Sequence, residues 1–263
     1  MDLSLRGKIA LVTGASRGLG FATARLLAQE GAQVVLNSRD PSRLNSAAEQ
    51  IQRETGSPVL AVPGDVTAPD LPFLLVKHTV EHFGGLDLLV TNTGGPKPGT
   101  FEDLSDEDWQ RAIDLCLMAH VRLIRAALPV LKQSASPSIL TITSISVKQP
   151  IPNLILSNAV RAATVGLTKS LALELGHWNI RVNSILPAWV ETERIAELLE
   201  ARARANQTSV VEEMEKQAGE SPFRRIAKPE EFARAAVFLL SPAASYLTGV
   251  MLPVDGGMYK GVF

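Results

Sequence analysis

Short apolar runs alternate with longer helical patterns along the whole chain. The run at 86–91 is apolar at nearly every position, which is typical of a parallel strand buried on both faces. The pattern predicts seven strands, at 9–12, 34–36, 59–62, 86–91, 138–143, 180–186 and 250–254. The helical patterns between them predict helices at 21–29, 41–54, 74–82, 106–131 and 159–175.

This regular alternation of strands and helices determines the predicted architecture. Strands separated by helical segments are joined by crossover connections, which place the strands parallel in one sheet. We therefore predict the α/β class, with a single doubly wound domain over residues 1–263. Its core is a parallel sheet of about seven strands with helices on both faces.

The segment 191–219 departs from this alternation. It is charged and helical in pattern, with an interruption at 206–209. It follows the carboxyl end of the sixth strand, which is the edge where open α/β sheets bind their ligands. Two interpretations stay open, a helical cover over a bound substrate and a surface hairpin without a binding role.

Composition and charge exclude several classes of protein. A hydrophobic content of 46% over 263 residues is enough for one large core, and a net charge of −1 gives no field that would attract nucleic acid or an anionic membrane. Cys116 is the only cysteine, so an intrachain disulfide is excluded and a reducing compartment is favoured. Because the sequence has no signal peptide and no apolar stretch of membrane-spanning length, we expect a cytoplasmic protein.

Three glycines lie between the first predicted strand and the first predicted helix. Gly14, Gly18 and Gly20 permit a tight turn and the close approach of the backbone to a pyrophosphate. The amino terminus of the following helix would meet the negative charge of that pyrophosphate. The spacing therefore predicts a dinucleotide site, with a glycine-rich turn that binds nothing as the alternative.

Further motifs follow these glycines at the ends of later strands: Asp65-Val66 after the third, Asn92-Thr93-Gly94 after the fourth, Pro187-Ala188 after the sixth and Asp255-Gly256-Gly257 after the seventh. With them, the chain resembles the short-chain dehydrogenase/reductase family over almost its whole length. Its layout is closest to the 3-oxoacyl-acyl-carrier-protein reductases and the small sugar or polyol dehydrogenases. The resemblance implies a Rossmann-type fold and a nicotinamide dinucleotide cofactor. The residues that it implies for cofactor binding are Gly14, Ser16, Arg17, Gly18, Leu19, Gly20, Ser38, Arg39, Asp65, Val66, Asn92, Thr93, Gly94, Arg161, Pro187, Val190 and Thr192.

The end of the second strand bears on the choice of dinucleotide. Enzymes that prefer NAD carry an acidic residue there, which binds the adenosine ribose hydroxyls. This chain has Ser38 and Arg39 instead, and Arg17 lies in the glycine loop. Because guanidinium groups match phosphate oxygens, we predict NADP(H), with NAD(H) as the alternative. Both arginines could also be ordinary surface charges.

The chemical centre departs from the family pattern. The resemblance implies a serine, a tyrosine, a lysine four residues after the tyrosine, and an asparagine on the long helix. Only the serine is kept, as Ser144, whereas the tyrosine position falls on Ser157, the lysine position on Arg161 and the asparagine position on Cys116. A serine hydroxyl titrates far too high to replace a phenol, and arginine stays protonated at neutral pH. Arg161 can still stabilise a developing alkoxide electrostatically.

Lys148 and His120 are candidates for the source of the proton. Lys148 follows Ser144 by four residues, so we assign it as a candidate acid, although it could also be a solvated loop lysine. His120 is a weaker candidate, expected to face solvent or another subunit, and Cys116 is expected to be a small core residue. No histidine–carboxylate grouping has metal-ligand spacing, so we predict no metal.

Three functions follow from these observations. The favoured one is an NADP-dependent oxidoreductase that acts on a small-molecule carbonyl or alcohol, with Ser144, Arg161, Ser157 and Lys148 as the catalytic residues. The alternatives are a catalytically silent relative that binds the dinucleotide, and a lyase or isomerase on the same scaffold. The resemblance also implies a homotetramer or a homodimer.

Overall fold

The computed structural model describes residues 2–262 and contains one parallel sheet of seven strands. The strands are β1 (Ile9–Val12), β2 (Gln33–Ser38), β3 (Val59–Pro63), β4 (Leu88–Thr91), β5 (Ser138–Ile142), β6 (Arg181–Pro187) and β7 (Met251–Val254). Every predicted strand is confirmed, with bounds that differ by no more than two residues. The sheet order is β3-β2-β1-β4-β5-β6-β7, so the winding reverses between β1 and β4. This reversal is the position where doubly wound folds bind dinucleotides.

The helices connect these strands on both faces of the sheet. They are α1 (Gly18–Gln29), α2 (Pro41–Thr55), α3 (Leu71–Phe83), α4 (Asp106–Ile113), α5 (Ala119–Leu131), α6 (Ile155–Leu175), α7 (Glu193–Asn206), α8 (Val210–Glu220) and α9 (Pro229–Leu240). The helix predicted at 106–131 is α4 and α5, joined by a π-helical turn at Asp114–Met118. Such turns change the helical phase and are frequent at functional sites.

The predicted start of α6 at 159 is wrong, because the helix begins four residues earlier, at Ile155. The side chain of Asn158 explains the difference. Its Nδ2 donates to the carbonyl oxygen of Ile151 at 3.0 Å, and its Oδ1 accepts from the amide of Ile151 at 3.2 Å. These bonds hold the first turn of α6 against the preceding loop and place Ser157 on the helix.

Side chains alternate along each strand between two hydrophobic clusters. Val12 and Leu36 belong to the cluster that packs against α1, α2 and α9. Leu11 and Val35 belong to the cluster on the other face, which packs against α3, α5 and α6. The central strands β1, β4 and β5 are therefore buried on both sides, as the continuous apolar runs predict, whereas the edge strands β3 and β7 are half-buried.

The segment predicted at 191–219 is helical, as its pattern indicates. It forms α7 and α8, which are separated by a short turn in which Gln207 has a φ of 56°. Ser209 then caps α8, since its side chain accepts a hydrogen bond from the amide of Glu212. Within residues 2–262, no helix combines the length and the apolar character that crossing a bilayer requires.

Candidate functional site

The carboxyl ends of the central strands open into a cleft of about 860 Å³. The glycine loop after β1 lines one end of this cleft, and Ser144, Ser157 and Arg161 line the other end. Of the residues predicted for the site, all line the cleft except Gly20 and Lys148. The fold therefore brings the predicted cofactor residues and the predicted chemical centre into one continuous space.

The glycine loop is built to lie against the end of β4. Gly14 has a φ of +58°, and a Cβ at this position would lie 2.7 Å from Nδ2 of Asn92. That same Nδ2 donates a hydrogen bond of 3.1 Å to the carbonyl oxygen of Gly14. A Cβ on Gly20 would overlap the carbonyl oxygen of Gly14, so Gly20 is required for packing although it lies outside the cleft lining. Asn92 thus fixes the glycine loop beside the cleft.

The amino terminus of α1 opens into the cleft and fits a pyrophosphate. Arg17 occupies the N-cap position in an extended conformation, with no side-chain hydrogen bond to the helix amides. Gly18 and Leu19 at the start of the helix line the cleft. A helix terminus that lacks a side-chain cap and begins with glycine offers amide donors to an anionic group.

Beyond the loop, the end of β2 presents polar atoms and cations. The hydroxyl of Ser38 and Oδ1 of Asn37 are buried and have no hydrogen-bond partner among the described residues. Arg39 is highly exposed and lies 4.0 Å from a carboxylate oxygen of Asp65. Arg43, in the first turn of α2, also lines the cleft. Sequence reasoning missed Arg43, although its position four residues after Arg39 was a usable signal.

At the other end of the cleft, three serines lie close together. The hydroxyl of Ser144 accepts a hydrogen bond from the amide of Ser146 at 3.1 Å. The hydroxyls of Ser146 and Ser157 are 3.4 Å apart. Ser146 is almost completely buried, whereas Ser144 and Ser157 line the cleft. Ser146 was also missed, and it links the two serines that the sequence identified.

Arg161 is buried beside these serines and carries its charge to the wall of the cleft. Its Nη1 donates to the carbonyl oxygen of Ile142 at 3.2 Å, and its Nη2 donates to that of Gly94 at 3.0 Å. A guanidinium has five N–H donors, so these two bonds leave further donors on a group that lines the cleft. Arg161 therefore connects α6 to the ends of β4 and β5 and places a fixed positive charge between them.

His120 is not on the surface, so the expectation that it faces solvent or another subunit is wrong. Its side chain is fully buried, and Nδ1 lies 2.7 Å from the hydroxyl of Thr91. Burial, together with the charge of Arg161, lowers the pKa of His120 to about 3. The imidazole is consequently neutral at physiological pH and cannot serve as a general acid there. Leu123, Ile124 and Ala127 share the buried face of α5 with His120, and this apolar spacing was a usable signal that the imidazole is buried.

Lys148 lies outside the lining of the cleft, contrary to the expectation for a proton donor. The chain forms a short 3₁₀ turn after Ser144, at Ile145–Val147, and Lys148 ends this turn. Its ammonium group is 5.0 Å from the ring centroid of Tyr259. Ser157 occupies the position of the family's tyrosine. Neither Tyr259 nor Tyr246 lines the cleft, so no tyrosine within residues 2–262 takes over that role there.

Cys116 lies in the core, as the sequence indicates. It is fully buried with Leu104, Leu156 and Val160 in a small apolar cluster, and its Sγ is 3.9 Å from the carbonyl oxygen of Gly94. Its own carbonyl oxygen accepts a hydrogen bond from the hydroxyl of Thr164. In the part of the chain that the structure describes, no group of three or more His, Cys, Asp and Glu side chains is placed to hold a metal ion.

The first two turns of helix α7 line the cleft. Ile195 and Leu198 contribute apolar surface to the cleft lining, and Trp189 contributes an aromatic ring from the loop before the helix. Arg194 donates from Nη2 to the carbonyl oxygen of Pro96 at 3.0 Å, which connects α7 to the loop after β4. Arg194, Ile195 and Leu198 fall within the segment 191–219 that the sequence offered as a cover, whereas Trp189 was not identified from the sequence.

The fold and the glycine loop define a doubly wound α/β protein of the Rossmann type. A family model described as enoyl-(acyl carrier protein) reductase matches residues 14–259. Dehydrogenase/reductase SDR family member 4 from Bos taurus is 35% identical over 254 residues, which cover 96% of this chain and 88% of that protein. The chain belongs to the short-chain dehydrogenase/reductase family.

Two solved structures bear directly on the cleft. L-sorbose reductase from Gluconobacter frateurii, in complex with NADPH and L-sorbose, has 36% identity and a TM-score of 0.95, with 100% of each chain covered. A short chain oxidoreductase from Pseudomonas aeruginosa PAO1, described as NADPH-bound and as containing an atypical catalytic centre, has 31% identity and a TM-score of 0.87. That likeness covers 97% of this chain and 98% of the other. Both of these solved structures are of oxidoreductases and contain NADPH.

Proposed function

We propose that this protein is an oxidoreductase that transfers a hydride between NADP(H) and a small carbonyl or alcohol substrate, through an active site without a tyrosine. The observation that carries the proposal is the single cleft, which is lined by the glycine loop at one end and by Ser144, Ser157 and Arg161 at the other. The proposed substrate cover is α7 with α8, because Ile195 and Leu198 of α7 line this cleft, and both helices pack against the cluster that contains Ile145, next to Ser144.

The preference for NADP(H) rests on the arginines around the end of β2. Arg17, Arg39 and Arg43 line the cleft together with Ser38, whose hydroxyl has no hydrogen-bond partner within residues 2–262. An acidic residue at this strand end, which would favour the ribose hydroxyls of NAD, is replaced by Ser38. Guanidinium groups bind phosphate oxygens in a forked geometry, so this cluster suits a 2′-phosphate. The NADPH complexes of two relatives support the proposal.

The bound dinucleotide would supply the hydride, and the chain supplies the charge and the hydrogen bonds around the substrate oxygen. Ser144 and Ser157 present hydroxyls to the cleft that can hydrogen-bond this oxygen. Arg161 holds a positive charge beside them, and such preorganised charge stabilises an alkoxide as it forms. Because a serine hydroxyl and an arginine guanidinium cannot release a proton at neutral pH, the proton would come from water that enters the cleft, and the hydroxyl of Ser157, which lines the cleft, could relay it.

One observation favours a second candidate, a silent relative that binds the dinucleotide without turnover. The guanidinium of Arg161 is bonded to the backbone at Gly94 and Ile142, which is what a purely structural arginine would do. The loss of a positioned general acid typically lowers a rate by 10²- to 10⁴-fold, so turnover is expected to be slow under the first proposal.

Titration of the protein with NADPH and with NADH, followed by fluorescence, tests the cofactor, and a panel of ketoses, ketones and 3-oxoacyl thioesters tests the chemistry. Tighter binding of NADPH together with its oxidation by at least one carbonyl is the expected result. Equal affinity for the two dinucleotides would contradict the NADP(H) preference. Tight binding without oxidation of NADPH would favour the silent relative, and substrate conversion without a change in cofactor absorbance would favour a lyase or isomerase.

We further propose a cytoplasmic homotetramer or homodimer. The exposed face of α6 supports this assembly. It carries four small residues and one leucine, at Ala159, Ala162, Ala163, Gly166 and Leu173. Such a face permits close packing of a second helix. Light scattering would measure the mass in solution, and a value near the chain mass of 28.2 kDa would contradict this proposal.

A further inference from the structure

Glu193 connects the proposed cover to the arginines that are proposed to bind the cofactor. It is the first residue of α7, and its carboxylate accepts a hydrogen bond from Nη1 of Arg17. The same carboxylate oxygen lies 3.4 Å from Nη1 of Arg43. Glu197, one turn further along α7, lies 3.6 Å from Arg17. A single carboxylate is therefore shared by two guanidinium groups that come from the glycine loop and from α2.

The carboxylate of Glu193 lies beside Arg17 and Arg43, which under the proposed function would bind the 2′-phosphate of the cofactor. Arg17, Arg43 and Glu193 all line the cleft, so the shared carboxylate is part of its wall. The hydrogen bond from Arg17, together with the charges of both arginines, lowers the pKa of Glu193 below its ordinary value. The side chains of Arg17 and Glu193 remain 45% and 57% exposed, so the ion pair is open to exchange with a dissolved anion.

We infer that Glu193 is a specificity-determining residue, which competes with the 2′-phosphate of NADP(H) for Arg17 and Arg43. The inference rests on the proposed function, because it requires those arginines to bind the cofactor. A phosphate monoester carries a larger negative charge than a carboxylate and has three acceptor oxygens. It can therefore replace Glu193 between the two guanidinium groups. NAD(H) has no group at this position and leaves the ion pair with Glu193 intact.

The inference makes the ratio of the two dinucleotide affinities depend on Glu193. Exposed ion pairs are individually weak, and Glu193 makes two of them, with Arg17 and with Arg43. Removing its charge should raise the affinity for NADPH by roughly 3- to 10-fold, whereas the affinity for NADH should change by less than about 2-fold. Glu193 thus lowers the preference for NADPH over NADH that Arg17 and Arg43 would give without it.

Glu193→Gln tests this inference with a change that keeps the shape of the side chain. Glu200→Gln is the matched control, because Glu200 is an exposed glutamate on the same helix that lies outside the cleft lining. Fluorescence titrations with NADPH and with NADH give the affinity ratio for the wild-type protein and for both variants. The expected result is a ratio that rises in the Glu193 variant and stays at the wild-type value in the Glu200 variant.

The remaining outcomes separate this inference from the proposed function. If NADPH binds to the wild-type protein but Glu193→Gln leaves the ratio unchanged or lowers it, the inference is wrong and the proposed function stands. A lowered ratio would mean that Glu193 orients the arginines for the phosphate instead of competing with it. If the wild-type protein binds neither dinucleotide, the proposed function is wrong and the inference is overturned with it.

Discussion

Nη2 of Arg161 donates a hydrogen bond to the carbonyl oxygen of Gly94, at a distance of 3.0 Å. This bond joins α6 to the loop after β4, in which Asn92 in turn holds the glycine loop. Arg161, four residues after Ser157, is therefore a cation, and hydrogen bonds to backbone carbonyl oxygens after β4 and at the end of β5 hold it in place. Because arginine cannot donate a proton at neutral pH, this cation acts through charge and orientation.

Substitutions of Arg161 should show how much of the turnover depends on its positive charge. We expect Arg161→Ala to lower turnover by about 10²-fold or more, because it removes preorganised charge beside the reacting oxygen. Arg161→Lys keeps the charge and should retain part of the rate. The measurement is steady-state NADPH oxidation, with Arg125→Ala, at an exposed arginine on α5, as the control.

Arg161→Ala also leaves two backbone carbonyl oxygens without their donor, so its fold must be verified. Circular dichroism and NADPH titration show whether the variant is folded and binds the cofactor. A folded variant that binds NADPH and oxidises it at the wild-type rate would contradict the electrostatic role of Arg161.

Restoring a phenol and an ammonium group should increase the rate. In the double variant Ser157→Tyr with Arg161→Lys, a phenol of ordinary pKa near 10 would lie one helical turn from a cation that lowers it. A positioned general acid typically contributes 10²- to 10⁴-fold, and we expect a gain of about 10²-fold over the wild-type protein. The control Ser157→Phe with Arg161→Lys has the same bulk without the hydroxyl. Equal rates for the two double variants would show that proton donation does not limit the reaction.

His120 should make the stability of the protein depend on pH. Its pKa is about 3 in the folded chain, compared with 6.5 for an ordinary histidine, so the unfolded chain binds the proton more tightly. The contribution of the neutral imidazole is therefore fully present above pH 6.5 and is lost as the pH falls from 6.5 towards 3. The slope from one such group is at most about 1.4 kcal/mol per pH unit.

Urea unfolding at pH 7 and at pH 5 measures this effect. The loss of unfolding free energy between the two values should be smaller in His120→Val than in the wild-type protein, although the variant is less stable at both. His82→Gln, at an exposed histidine, should keep the pH dependence of the wild type. An undiminished pH dependence in His120→Val would show that His120 does not cause it.

Glu213 stabilises the junction between α7 and α8. Its buried carboxylate accepts hydrogen bonds from Lys216 at 2.8 Å, Thr208 at 2.7 Å and Asn206 at 3.2 Å. These bonds lower its pKa to about 2 from the ordinary 4.5, so the junction is intact above pH 4.5 and is weakened as the pH falls towards 2.

Hydrogen exchange of the backbone amides tests this role of Glu213. Glu213→Gln should speed exchange in α7 and α8 by several-fold and leave the sheet unchanged, because the contacts that it breaks are local to the junction. Glu215→Gln, at an exposed position on α8, is the control. Unchanged exchange in α7 and α8 would contradict the role of Glu213.

The strands could be predicted because their signal is local. A strand buried on both faces is an unbroken apolar run, and 86–91 and 138–143 could be recognised without knowledge of their neighbours. The glycine loop was similarly visible, since Gly14 and Gly20 are required by packing within a few residues of a strand end.

The errors have equally physical causes. His120 was misplaced because a polar side chain was expected on the surface, although its spacing to Leu123, Ile124 and Ala127 puts it on the buried face of α5. Lys148 was expected to reach the cleft because it follows Ser144 by four residues. The 3₁₀ turn between the two residues was not foreseen, and Lys148 lies outside the cleft lining. Arg43 and Glu193 are 150 positions apart, and a pair at that separation is made by the fold and leaves no pattern in the sequence.

Transfer of deuterium from NADPH labelled at C4 of the nicotinamide tests the central claim most directly. Mass spectrometry of the alcohol formed from a carbonyl panel would detect the label in the product. We predict an alcohol that carries one deuterium, formed slowly by the wild-type protein and at a much lower rate by Arg161→Ala. Tight NADPH binding without a labelled product from any carbonyl would contradict the claim that this active site transfers hydride.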